Sequence, residues 1–416
     1  MSDEVVLSFA DALNTVLSHA RSAASGKGNL AVETVPLTAA AGRVLATIVT
    51  AERDQPPFDR STRDGYAIRT ADIAEATRTL HLVGSIRAGE QWSGPALASG
   101  QAIEIMTGAP LPAGADAVVM LEHVQAATGS ITLAEGRNLS PGENVVPRAA
   151  EARTGDSLLP TGRVLNAAEI AVAASCGRST LEVFAQPTVA IVATGDELVE
   201  LATQPEPWQI RNSNSYALAA LVAAEGGSPN RLPIAPDTLA DLRDRIAKGR
   251  ESDLLLLSGG VSMGKYDLVE QVLRESGAEF FLTGALIQPG KPIVFGRLPK
   301  PGGTHTYFFG LPGNPVSTQV CFHLFVAPIL RALAGRTDLA PHFVAATLSA
   351  DVKGGARVTR FLPAELEAAW DKVTVQVVGW QGSGDVAANA RGNCYCVLPA
   401  DVSAFHAGET VRVLLR

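Results

Sequence analysis

Four consecutive leucines, Leu254 to Leu257, run directly into Ser258-Gly259-Gly260, and no other stretch constrains this chain as strongly. An unbroken apolar run of that kind reads as a strand covered on both faces, as inside a parallel sheet. Val261, Ser262, Met263 and Gly264 follow. From near Tyr266 the apolar positions Leu268, Val269, Val272 and Leu273 fall on one helical face. A strand passing through a glycine loop into a helix N-terminus forms an anion site, because bare backbone N–H groups and the positive end of the helix dipole face the ligand. Asp267 stands where that helix begins. It either caps the helix or holds a metal ion against a bound phosphate, and by itself the loop is as readily a tight turn with a capping acid.

The surrounding pattern favours a site. From Thr188 onward strands and helices alternate: Val189 to Ala193, a helix after Asn212-Ser213-Asn214, a short strand from Arg231 to Ala235, a helix after Asp237, then the leucine strand. Further strands are expected at Glu279–Leu286 and Tyr307–Gly310, and an apolar helix runs to Leu333. This alternation predicts an α/β domain, a parallel sheet with helices on both faces. Polar loops follow the strands: Thr194-Gly195-Asp196-Glu197, the glycine loop, Gln288-Pro289-Gly290-Lys291-Pro292 and Leu311-Pro312-Gly313-Asn314-Pro315. In open α/β sheets the carboxyl edge is where ligands bind, so Glu197, Asp237, Ser262, Asp267, Lys291 and Asn314 are expected around one crevice.

Both flanks of this unit read differently. Ser8 and Asp11 open a helix with the stripe Phe9, Leu13, Val16 and Leu17. The alanine-rich segment Ala167 to Cys176 has similar character, so a helical domain built from two separated pieces is expected. Between them, short alternating runs near Leu82, Ile103, Val118 and Ile131, separated by Gly and Pro, predict an inserted β domain. Two loops of this insert are dense in polar groups: Pro56 to Ala67, with Asp59 and Asp64 and a turn expected at Asp64-Gly65, and Met106-Thr107-Gly108, with a hydroxyl at a strand end. After Gly335, alternation at Val373, Val375, Val377 and again at Val411, Val413, Leu415 predicts a C-terminal β-barrel or sandwich. Cys394 and Cys396 lie on one face of a strand and read as packed thiols, since no further soft ligands stand nearby to complete a zinc site.

Composition narrows the partners. A chain of 416 residues is too long for one core. Aromatic residues make up 5% and the net charge is −8, which leaves neither stacking platforms nor a basic face for nucleic acid or an anionic membrane. Attraction for an anionic ligand must come from local groups such as Lys291. No apolar run is expected to reach the ~18 residues of a membrane span. The N-terminal residues lack a signal-peptide pattern and four cysteines make no disulfide framework, so a cytoplasmic protein is expected.

Taken together, six motifs resemble the molybdopterin molybdenumtransferase family, whose module gephyrin carries as its E domain. They are Pro57-Phe58-Asp59-Arg60-Ser61-Thr62-Arg63-Asp64-Gly65-Tyr66-Ala67, Ile105 to Ala109, Thr194 to Leu198, Ser258 to Gly264, Pro289 to Pro292 and Leu311 to Pro315. The resemblance implies four domains: a helical linker domain (1–55 and 148–184), the inserted β domain (56–147), a molybdopterin-binding α/β domain (185–336) and a C-terminal β-barrel (337–416). It implies that adenylylated molybdopterin and molybdate give molybdenum cofactor and AMP, with Mg²⁺ held by Asp237 and Asp267. It places the family's functional positions on Asp59, Thr107, Glu197, Asp237, Asp267, Lys291 and Ser383. Substrate contacts fall on Ser258, Gly259, Gly260, Ser262, Gly264, Pro289, Gly290, Pro312, Gly313, Asn314 and Ser383. It further implies a homodimer with active sites shared between subunits, Asp59 coming from one and Asp267 from the other. The adenylyltransferase that makes the activated pterin and the molybdoenzymes that receive the product are the implied protein partners. The chain departs from the family at Arg63, usually hydrophobic, at Gln288, often Met or Lys, and at Ala149-Ala150-Glu151, usually Gly-Glu-Asp. The adenylyltransferase itself and a non-catalytic pterin carrier are the competing readings. The first is a single small domain, and the second needs no carboxylates in the crevice.

Overall fold

The structure, a computed structural model, describes residues 5–25, 30–73, 78–260, 268–301, 303–354 and 357–416. Val261 to Asp267 lie outside the described residues, and with them Ser262, Gly264 and Asp267.

The leucine strand, Leu254–Ser258, is the third of six in a sheet and is buried along its whole length. Leu254 and Leu256 enter one apolar cluster with Val189, Ile191, Phe309 and Phe325. Leu255 and Leu257 enter a second, with Leu242, Ile246, Val269 and Phe308. One fully apolar run therefore supplies two cores, since successive side chains point to opposite faces. Each such leucine contributes about 1.5–3 kcal/mol by burial.

The sheet runs in the order Ser228–Arg231, Thr188–Ala193, Leu254–Ser258, His305–Leu311, Val294–Pro299, Glu279–Leu282. The first four strands are parallel, as expected. Val294–Pro299 is antiparallel to both neighbours and was not expected from sequence. Gly296, Arg297 and Pro299 disguise it. Glycine is needed there because a Cβ would lie 2.2 Å from the Glu279 carbonyl oxygen. Only a short turn joins it to His305–Leu311, too short for the crossover that parallel pairing requires.

The helix Pro315–Leu333, interrupted by a π turn at Phe322–Val326, has mean hydropathy 1.4 over an 18-residue window. It is long and apolar enough to cross a membrane, contrary to the expectation that no run would be. Within the structure 89% of that window is buried, and a helix enclosed on all sides is apolar on all sides.

The first helix, Phe9–Ser25, is capped by Ser8, whose Oγ accepts from the Asp11 N–H at 3.1 Å. Its Ala12, Val16 and Ala20 join the core of the α/β sheet rather than a separate helical unit. The two flanks of the insert do meet, but chiefly through strands: Val32–Pro36 pairs with Thr180–Phe184, and Val49–Thr50 with Ser157–Leu159. The expected helical character reduces there to one helix, Ala167–Ser175. The β-branched residues Val32, Thr34 and Val35 explain the preference for strand.

The insert forms a six-stranded sheet, with Gln101–Ile105 and Thr79–Ile86 at its centre and Gly65–Ile68 beside them. Gly65, expected in a turn, opens a strand so crowded that a Cβ would sit 1.9 Å from the Val119 carbonyl oxygen. At the C-terminus five strands close into a barrel, because Thr359–Ala368 pairs with both Val373–Val377 and Cys394–Leu398. Cys394 and Cys396 are core residues there, and burial pushes their thiols up to about 11 and about 12. Ile287–Gln288 pairs with Thr359–Arg360, fastening the Lys291 loop to the barrel.

A nearly buried ionic knot locks the long helix to the rest. Glu225 accepts from Arg331 Nε and Nη2, both at 2.7 Å, and from Arg336 Nη1 at 3.1 Å. Arg331 Nη1 also donates to the Ala340 carbonyl at 2.8 Å. Glu225→Ala leaves the Arg331 guanidinium without its counter-charge and Arg336 with Asp338 alone. It is expected to cost about 3–5 kcal/mol in urea unfolding; a loss below about 1 kcal/mol would show that solvent already shields the knot.

Candidate active site

The sheet order reverses between Thr188–Ala193 and Leu254–Ser258, since the strand after the first packs on its far side. A crevice opens at the carboxyl ends of such a pair. Here it is a cleft of about 430 Å³ lined by Thr194, Glu197, Asn214, Ser258, Gly259, Gly313 and Asn314 from the α/β domain and by Gly384 and Val386 from the barrel. The loops approach closely. Thr194 N–H donates to the Ser258 carbonyl at 3.0 Å and Gly259 N–H to the Leu311 carbonyl at 3.2 Å. Gly259 has φ +94° and a Cβ there would lie 2.4 Å from the Thr194 carbonyl oxygen, so only glycine fits. At Gly195 (φ +143°) a Cβ would meet Glu197 Oε2 at 2.4 Å, which puts the Glu197 carboxylate directly over the loop backbone.

Asn314 and Ser383, expected at the site from different domains, do meet: Asn314 Nδ2 donates to Ser383 Oγ at 2.8 Å, and the Val316 N–H donates to the Ser383 carbonyl at 3.0 Å. Because Ser383 Oγ accepts there, its own proton remains for a ligand. Asp237 lies beside Asp196, whose Oδ1 accepts the Asp237 N–H at 3.1 Å. Desolvation first, then the charges of Asp196 and Glu197, raise the Asp237 pKa above the ordinary carboxylate range. No cluster of three metal-ligating side chains occurs among the described residues. Lys291 is exposed and has no ion pair among the described residues, in a loop following Pro289 and Gly290. Gly290 packs so tightly that a Cβ would meet Cys321 Sγ at 2.6 Å.

The insert's polar loops form their own cluster and contribute no residue to the cleft lining. Asp59 Oδ1 accepts the Arg148 N–H at 2.8 Å, and Arg60 pairs with Glu151 at 3.0 Å. Thr107 donates both its N–H and its hydroxyl to Asp64 Oδ1, at 2.7 and 2.8 Å, which holds the Asp64 carboxyl below its usual range. The Thr107 hydroxyl proton is therefore engaged, not aimed at an oxyanion as its sequence position suggests. Sequence reasoning missed Thr194 and Asn214. The available signal was Asn212-Ser213-Asn214 just ahead of a helix at the ligand-binding edge.

Three family models match in chain order: the MoeA N-terminal region (domain I and II) over residues 7–177, a probable molybdopterin binding domain over 190–332, and the MoeA C-terminal region (domain IV) over 345–415. A Nostoc protein named molybdopterin molybdenumtransferase is 37% identical, with 92% of this chain and 88% of that protein covered. The chain belongs to the molybdopterin molybdenumtransferase family. A family member from Staphylococcus aureus is 33% identical over 92% of this chain and 90% of its own. The crystal structure of the molybdopterin biosynthesis moeA protein from Pyrococcus horikoshii superposes with a TM-score of 0.79 at 28% identity, covering 99% of this chain and all of that one.

One departure from the molybdenumtransferase pattern has a structural consequence. Ala149, where the family usually has Gly, adopts φ +61° while its N–H donates to the Pro56 carbonyl at 3.0 Å. Alanine bears the left-handed backbone at a cost of about 1 kcal/mol, roughly what glycine loses in unfolded-state entropy. Ala149→Gly should therefore leave stability within about 0.5 kcal/mol, whereas a β-branched Ala149→Val should lose about 1–3 kcal/mol. Equal melting temperatures for the two variants would contradict the left-handed conformation.

Proposed function

We propose that this protein transfers molybdenum from molybdate to adenylylated molybdopterin, releasing AMP and forming molybdenum cofactor. The supporting observation is the cleft at the sheet's switch point, lined by Ser258 and Gly259 and by residues of two domains. Glycines at the loop let a phosphoanhydride approach the backbone closely, and the Lys291 ammonium suits an oxyanion in a chain of net charge −8. Ser383 offers its hydroxyl proton, and Gly313 and Asn314 line the cleft, with the buried Pro312 preceding them. In the reaction an oxygen of molybdate or water bonds to the pterin-side phosphorus of the anhydride, the P–O bond from that phosphorus to the AMP phosphate breaks, and AMP departs with the bonding electron pair.

Asp237, with its raised pKa, is a carboxylate that a cation would relieve, and with Asp267 it would hold Mg²⁺. A bound Mg²⁺ would supply charge neutralisation at the phosphoanhydride. Glu197 stands over Gly195, close enough for its charge to act on Asp237. Asp59 and Thr107, the latter with its partner Asp64, act in the cleft of a second copy. That reading, a homodimer with shared sites, is supported by their absence from the cleft lining among the described residues. A cytoplasmic setting suits four free, buried cysteines. The adenylyltransferase upstream and recipient molybdoenzymes downstream are the protein partners in this reading.

Mixing the protein with adenylylated molybdopterin, Mg²⁺ and molybdate should release AMP only when molybdate is present. ATP consumption instead would mark an adenylyltransferase, and neither event a carrier. In the same assay Asp237→Asn should fall by on the order of 10²-fold, the equivalent of several kcal/mol of lost charge stabilisation. Its effect on folding has the opposite sign. With a folded pKa above the unfolded one, Asp237 lowers stability as pH rises through that interval, so the metal-free Asn variant should melt slightly higher than the parent near neutral pH. A lower melting point for the variant would contradict the charge crowding seen here.

Sharing of sites is tested by pairing an Asp59→Asn chain with an Asp237→Asn chain. In an isolated heterodimer one site then carries both defects and the other neither, and about half of parental activity should return by this count of sites. A heterodimer as inactive as the mutant homodimers would place each site within one chain.

A further inference from the structure

Beneath the cleft loops lies a polar chain in which Asn214 is the first link. Asn214 opens the helix Asn214–Ala224, and its Nδ2 reaches three acceptors: the Gly313 carbonyl at 2.7 Å, Ser258 Oγ at 3.0 Å and Thr318 Oγ1 at 3.3 Å. A carbonyl only accepts, so Gly313 settles which end of the amide points inward. Ser258 and Thr318 are themselves buried, at 2% and 0% exposure. Thr318 Oγ1 donates in turn to the Pro312 carbonyl at 2.6 Å and sits 3.1 Å from the Asn314 carbonyl. Asn314 carries the chain onward through Nδ2 to Ser383 Oγ, and the Ser383 carbonyl takes the Val316 N–H. Together the links connect the end of the Leu254–Ser258 strand, the Pro312–Asn314 loop and the barrel. Loops on a sheet edge have no ladder bonds to hold their mutual spacing, so a side-chain donor that spans two of them sets it.

We propose that Asn214 is a positioning residue for the adenylylated substrate. It holds the Ser258-Gly259-Gly260 loop at a set distance from the Gly313-Asn314 loop and, through Asn314, holds the Ser383 hydroxyl toward the same ligand. The assignment rests on the functional reading above and adds to it a residue without direct chemistry. Its side chain offers no proton at neutral pH and no metal-binding charge. Its effect is on the fit of two loops around one bound molecule.

The test is a double-mutant cycle on the full chain, read as the Kd of adenylylated molybdopterin by calorimetry alongside AMP release. Asn214→Ala should weaken binding by roughly tenfold or more, since it strands two buried acceptors, while kcat at saturating substrate changes far less. Combined with Ser383→Ala, the loss should fall well short of the product of the single losses, because both variants cut one network. Combined with Lys291→Ala, which shares no described bond with the network, the losses should multiply. Melting curves monitor folding, and if Asn214→Ala does not fold, Asn214→Ser replaces it, retaining a donor too short to span both loops. Unchanged Kd in Asn214→Ala or Asn214→Ser, or losses that multiply with Ser383→Ala, would overturn the assignment while leaving the function standing. A parent chain that does not bind the substrate at all would overturn both.

Discussion

Burial of the Leu254–Ser258 strand on both faces is the constraint on which the rest of this molecule depends. Two apolar clusters draw on alternate residues of that one strand, so neither core can form without placing it at the interior of the sheet. Its neighbours Thr188–Ala193 and His305–Leu311 run parallel to it, so the three C-terminal ends emerge together. The glycines that follow then have no choice of surroundings. Gly259 is pressed against the Thr194 backbone, and the Leu311 carbonyl takes its N–H. The cleft is the space left where tightly packed strands end and their loops separate.

What fills that edge is polar but only partly charged. Asp196, Glu197 and Asp237 crowd negative charge at one side and raise the Asp237 pKa. The opposite side is built from amide and hydroxyl groups: Asn214, Thr318, Asn314 and Ser383. Such a division suits a ligand that carries phosphate at one end and brings its own cation. It also explains how a chain of net charge −8 can serve an anionic substrate without a basic surface. The barrel belongs to this site as much as the sheet does, since Ser383 and the Ile287–Gln288 pairing tie it to both walls.

Much of this was legible from residue order. The leucine run, the glycine loops and the alternation after Thr188 were enough for the sheet, its parallel core and its ligand-binding edge, because burial and backbone freedom are local properties. Val294–Pro299 was not legible, since Gly296 and Pro299 are breakers by composition and strand residues only by virtue of the Glu279 backbone pressing on one of them. The first helix was legible as a helix but not as part of the α/β core. An apolar stripe states that something is covered and not by what. Asp64-Gly65 reads as a turn because the pair favours turns in isolation, yet the Val119 carbonyl leaves room only for glycine in a strand there.

The sequence by itself determined the chemistry available at the edge: which loops carry glycine, which carry acids, and that Lys291 and Asn314 follow strands. Only the tertiary structure decided who meets whom. Ser383 is 69 residues from Asn314 and Asn214 is 99 from Gly313, and hydrogen bonds across such separations follow from loop ends converging, not from any local pattern. The same convergence left Asp59 and Thr107 in a cluster of their own, with Thr107 committed to Asp64. Side-chain type is a property of the chain, but the geometry that turns a hydroxyl into a ligand donor or an internal strut is set by the packing of elements that are distant in sequence.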